Sequence, residues 1–151
     1  MWNDDEIAVG SGFPMHGHRG MEFNKGDVPL KVYQIWLLPR VAGGEPRWDT
    51  KRFPKGDRSG HFVVLASGFD SDEGALPIRA NARLLGATLK AGEYIRQALG
   101  PSHRAYLVVA SGRIEVDGEP MGPLDGVAVT KVAVAQISAL EDSELVMVDT
   151  G

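Results

Sequence analysis

Short runs of Val, Ile, Leu, Tyr and Phe recur along this chain between glycine- and proline-rich turns, and no stretch carries a convincing 3.6-residue apolar stripe. The pattern predicts β-structure throughout. Residues 32–38 (Val-Tyr-Gln-Ile-Trp-Leu-Leu) form the first strong strand candidate, stopped by Pro39 and then by the turn-forming Ala42-Gly43-Gly44-Glu45-Pro46. Residues 62–66 predict the next strand. Residues 82–89 and 94–99 follow on either side of Ala91-Gly92, at hairpin distance, and are expected to pair. Residues 106–110, a Ser111-Gly112 turn, 113–116 and an Asp117-Gly118 turn give a hairpin signature. Strands are then expected at 127–130, 134–140 and 144–148. Turns every 8 to 12 residues point to a sandwich or barrel, so the predicted fold is all-β, a jelly-roll β-barrel over about residues 30–150. Residues 1–29 hold Gly10, Gly12, Gly17, Gly20 and Gly26 with few apolar neighbours and are expected to form an arm. Residues 51–59 are read as a charged loop.

Composition narrows the function classes. At 151 residues the chain holds one core, or one core and an arm. Its net charge of −4 and lack of a sustained basic run speak against nucleic acid as a partner. The absence of cysteine excludes disulfides, thiolate nucleophiles and Cys-ligated metals, leaving His, Asp and Glu as strong ligands. No apolar run approaches the roughly 20 residues of a membrane-spanning helix. The acidic start, Met1-Trp2-Asn3-Asp4-Asp5-Glu6, is unlike a secretory signal, so a cytoplasmic location is expected.

The sharpest local chemistry lies in Gly10-Ser11-Gly12-Phe13-Pro14-Met15-His16-Gly17-His18-Arg19-Gly20-Met21-Glu22. Histidines two apart fall on one side of an extended segment, and a carboxylate four residues later can close on the same ion from a neighbouring turn. Imidazole with carboxylate and open positions suits Fe(II), Mn(II), Ni(II), Cu(II) or Zn(II). The alternative is a glycine-rich loop whose histidines bind nothing. Elsewhere, His61 and His103 are expected to be exposed or locally hydrogen-bonded. Tyr33 and Trp36 are expected in the core, and Trp48 on a sheet edge or, as the alternative, facing a partner. Asp70-Ser71-Asp72-Glu73-Gly74 lacks the ligand spacing of a calcium loop and is read as a solvated turn.

Gly10, His16, His18 and Glu22 fit the first cupin motif, and residues 12–22 are similar to the GFPxHPHRGxE segment of the pirin family. Residues 30–39 resemble the segment that opens the second half of bacterial pirins. The likeness continues through Phe53-Pro54, residues 63–67 and residues 107–116 to the end. The resemblance implies two cupin barrels, the first holding one metal through HxH and a later HxE. This chain passes from Glu22 directly to residues 23–29, the connector that follows the later motif, so most of the first barrel is missing. Glu22-Phe23-Asn24 can stand for the tail of that later motif, the third histidine has no counterpart, and Pro29 stands where a glycine is expected.

The expected organisation is therefore a remnant of an N-terminal metal-binding cupin unit over residues 1–29 and a C-terminal pirin-like cupin barrel over 30–151. Such an arm is expected to pack on its own barrel or on a partner chain, giving a homodimer. The resemblance implies a metal-dependent oxygenase of the quercetin 2,3-dioxygenase type with a depleted site. In it His16, His18 and Glu22 would hold Fe(II) or another divalent transition metal, and Glu22 would accept the hydroxyl proton of a small aromatic, flavonol-like substrate. The alternative is a non-catalytic cupin barrel serving as a binding or self-association module.

Overall fold

The computed structural model describes residues 2–7, 27, 29–100 and 102–151. The chain divides into two compact units, Met1–Leu38 and Pro39–Gly151. In the first, β1 (Trp2–Ile7) pairs antiparallel with β2 (Leu30–Ile35), Trp2 opposite Ile35 and Ile7 opposite Leu30. A strand at residues 2–7 was not expected from Asn3-Asp4-Asp5-Glu6, whose residue types are poor strand formers. Backbone pairing with β2 overrides that local preference. The strand predicted at 32–38 begins at Leu30 and ends at Ile35, and its partner is β1.

The second unit is the predicted all-β barrel. It comprises β3 (Val63–Ser67), β4 (Leu76–Pro77), β5 (Ala82–Leu89), β6 (Tyr94–Ala98), β7 (Arg104–Ser111) and β8 (Ile114–Val116). These are followed by β9 (Glu119–Met121), β10 (Gly126–Thr130), β11 (Val134–Ala139) and β12 (Ser143–Thr150). A six-stranded sheet runs β10-β7-β12-β5-β3-β4 and a four-stranded sheet runs β6-β11-β8-β9. All neighbours are antiparallel except β3 and β4. Among the described residues no helix is long and apolar enough to cross a membrane.

One core joins the two sheets. Leu85, Ala87 and Leu89 of β5, Leu107 and Val109 of β7, and Leu145 and Met147 of β12 pack against Ile95, Ile114 and Ile137 of the smaller sheet. Their period of two is the strand period, which sends alternate side chains inward. Burying a side chain such as Leu107, wholly shielded here, contributes about 1.5–3 kcal/mol.

Two details of the reading change. The expected β5–β6 hairpin does not form: β5 pairs with β3 and β12, while β6 pairs with β11 in the other sheet. The turn between them crosses the barrel, held by Gly92 N–H donating to the Ala139 carbonyl and Ala91 N–H donating to Asp142. Nor do residues 106–110 and 113–116 pair across Ser111-Gly112, because β7 and β8 lie in different sheets. Asp117-Gly118 does turn a hairpin, between β8 and β9, with φ of 50° and 90° at its two central residues. Positive φ at both is the type I′ geometry that matches the twist of the strands it joins.

Candidate functional site at the barrel mouth

Inward-facing positions are apolar along most of the larger sheet and turn polar at one end. On β12 the alternation that buries Leu145 and Met147 continues to Asp149. On β5, the face of Leu85, Ala87 and Leu89 continues to Arg83. Strand register then sets a row: Ser67 of β3 lies opposite Arg83, Arg83 opposite Asp149, and Asp149 opposite Ala105 of β7. His103 stands two residues before Ala105, just ahead of β7.

Two separate networks lie along the row, one joining His103 to Asp149 and the other joining Arg83 and Ser67 through Asp72. His103 Nδ1 lies 2.9 Å and 3.0 Å from the two oxygens of Asp149, a residue only 8% exposed. A carboxylate only accepts, so Nδ1 carries a proton and donates it to Asp149. Arg83 Nε donates to Asp72 at 2.6 Å and its guanidinium lies 4.5 Å from the centre of the Phe69 ring. Ser67 Oγ donates to Asp72 at 2.5 Å and accepts from Phe69 N–H at 2.9 Å. The Arg83 hydrogen bond, followed by that from Ser67, holds the Asp72 carboxyl below its ordinary 3.8.

A second charged cluster flanks a cleft of about 370 Å³ at the other end of the strands. Glu144 of β12 accepts from Lys55 and from Arg58, each at 2.6 Å. Burial pushes the Glu144 carboxyl up, and the hydrogen bonds from Lys55 and Arg58 outweigh it, leaving the group below its ordinary 4.5. The contact anchors a 3-10 turn, Lys55–Arg58, in the segment read from sequence as a plain loop. Arg58 is only 8% exposed, and its Nε is buried without a partner. At the same end Asp142 accepts from Lys90 at 2.6 Å and from Ala91 N–H at 3.0 Å. The Lys90 hydrogen bond, then the one from Ala91, lowers the Asp142 carboxyl.

Several residues differ from their sequence reading. His103 is neither exposed nor locally bonded, because register brings Asp149 to it across 46 positions. Residues 70–74 form the exposed turn expected, and within it the Asp72 side chain alone is drawn against the sheet by Arg83 and Ser67. Trp48 is 89% exposed instead of packed on a sheet edge, and Trp36 is 48% exposed instead of core, lying past the end of β2. His61 Nδ1 is 2.9 Å from the Ser59 carbonyl, the local bond expected.

The barrel does not suit a metal ion. His103 and Asp149 are engaged with one another, and among the described residues no three His, Asp or Glu side chains converge on a point. The sequence-predicted ligands His16, His18 and Glu22 lie outside the described residues.

A sequence profile described as "Quercetinase C-terminal cupin domain" matches residues 64–150. A pirin-like protein of Caulobacter vibrioides is 45% identical over 189 aligned positions, spanning 99% of this chain and 82% of that protein. The quercetin 2,3-dioxygenase of Escherichia coli K12 is 26% identical over 188 positions, spanning 97% of this chain and 80% of that one. These alignments are longer than the 151-residue chain, so part of each relative has no counterpart here, in keeping with the missing middle of the first barrel. In three dimensions the crystal structure of the bacterial pirin YhhW of Escherichia coli, solved with nickel(II), superposes with a TM-score of 0.84. It covers 99% of this chain and 80% of that one at 22% identity, which is a likeness of fold. The chain therefore belongs to the pirin family of cupin proteins.

Proposed function

We propose that this chain is a pirin-type protein whose metal-dependent chemistry, of the quercetin 2,3-dioxygenase kind, is confined to His16, His18 and Glu22, with the C-terminal barrel as scaffold. One observation carries the reading: the two groups at the barrel mouth best suited to ligation, His103 and Asp149, are spent on each other, and no third ligand stands beside them among the described residues. The names of the relatives support the reaction class, and the nickel(II) held by YhhW supports a divalent metal.

Two imidazoles and one carboxylate form a donor set suited to Fe(II) or another divalent transition metal. Such an ion would supply Lewis-acid and redox chemistry toward a flavonol-like substrate. The chain's own contribution is twofold. His16 and His18 orient through their ring nitrogens, and Glu22 offers the carboxylate that accepts the substrate's hydroxyl proton. With part of the first barrel without counterpart, the supporting contacts that fix ligand orientation are reduced, and a lower metal affinity than that of a complete pirin follows. That same absence favours a second reading, a non-catalytic barrel that binds or self-associates.

The test is flavonol turnover. The purified chain, loaded anaerobically with Fe(II) and then given oxygen, is expected to bleach quercetin, and His16→Ala/His18→Ala to abolish the loss of absorbance. His103→Gln is expected to retain it. Bleaching that survives the double variant overturns the assignment, and its absence from the unaltered chain supports the non-catalytic module.

A further inference from the structure

We propose that the groove between the free edges of β9 and β10 binds a basic, extended peptide segment that adds a strand to β10. Among the described residues each strand is the last of its sheet, β10 pairing only with β7 and β9 only with β8. The two sheets part between them. All five residues of β10 and all three of β9 line a cavity of about 460 Å³. An unpaired strand edge presents alternate N–H and C=O groups as a template for a further strand. Pro120 removes one donor from β9, whereas β10 contains no proline and can pair along its length.

The groove's chemistry selects the occupant. Its floor is apolar: Val116, Met121 and Val129 are buried and belong to the core, and Val127 packs against them. Its rim is acidic, carrying Asp117, Glu119 and Asp125 with no Lys or Arg among the lining residues. None of the three has an ion pair among the described residues. Asp117 Oδ1 accepts from Gln136 N–H of β11 at 2.9 Å and Asp125 Oδ2 from Gly122 N–H at 2.7 Å, so backbone donors hold these two carboxylates in place. An added strand sends alternate residues to opposite faces. Apolar residues would cover the half-buried Val127 and the exposed Val132, while Lys or Arg side chains meet the rim. Lys131, which follows β10, does not line the cavity.

The experiment titrates the full chain with a fluorescently tagged short peptide alternating Val and Lys. Two matched controls accompany it, one with Glu for Lys and one N-methylated at alternate residues. Saturable binding of the Lys peptide alone is expected, weakened about tenfold or more by Asp117→Asn/Glu119→Gln/Asp125→Asn and by added salt. These amides keep an oxygen that can accept the backbone hydrogen bonds, and circular dichroism checks that the variant is folded. Slower amide hydrogen exchange in β10 on binding is also expected. Equal binding of the Glu peptide overturns the charge argument. Equal binding of the N-methylated peptide, or unchanged exchange in β10, overturns strand addition. No binding at millimolar peptide overturns the site.

Discussion

His103 Nδ1 sits 2.9 Å and 3.0 Å from the two carboxylate oxygens of Asp149, joining the approach to β7 to the end of β12. The pair is largely shielded, with side chains 26% and 11% exposed. Removing one partner therefore leaves the other short of a bond it cannot fully replace with water. Asp149→Ala is expected to destabilise the barrel by about 1–3 kcal/mol and Asp149→Asn by less. Urea unfolding of Asp149→Ala, of His103→Ala and of the two combined measures the coupling directly. A double variant that loses the full sum of the two single losses would show the pair to be energetically idle.

Acid should weaken the barrel through its depressed carboxylates, of which Asp72 and Glu144 are shielded and Asp142 is exposed. Asp72 and Glu144 titrate in the folded chain below their ordinary 3.8 and 4.5. For a depressed group, the stabilisation is complete above the unfolded-state value and is lost as pH falls through the folded one. Urea midpoints are expected to hold steady down to about pH 5 and then to fall. Asp72→Asn should flatten that fall. Partial exposure of the Arg83 side chain limits the pair to about 1 kcal/mol. An unchanged slope in the Asn variant would remove Asp72 from the acid response.

The β8–β9 turn offers a conformational test. Gly118 has φ of 90° with open space around its absent Cβ, so a substitution there meets backbone strain and no clash. Gly118→Ala is expected to cost about 1 kcal/mol. Gly118→Asn should cost less, because Asn tolerates the left-handed region better than other side-chained residues. Thermal melts of the two variants measure the difference, and equal losses would contradict a type I′ requirement.

The legible parts of this fold are those written locally. Residues 82–89 are a strand at both predicted ends, and Asp117-Gly118 makes its hairpin. Partner choice is not local: Ala91-Gly92 looks like a hairpin turn, yet Asp142 and Ala139 hold it as a crossing between sheets. The barrel mouth is likewise hidden, because Ser67, Arg83, Asp149 and His103 come together only through the register of four strands. Nothing near Glu144 in the chain announces Arg58, 86 positions away. The HxH segment is the opposite case, a motif contained within a few residues and visible in sequence alone.

The assignment of metal chemistry to His16, His18 and Glu22, with none in the barrel, is tested most directly by elemental analysis after anaerobic incubation with Fe(II) and removal of free ion. Metal is expected in the unaltered chain and in His103→Gln, and its loss is expected in His16→Ala/His18→Ala. Metal retained in the double variant, or lost on changing His103, would contradict it.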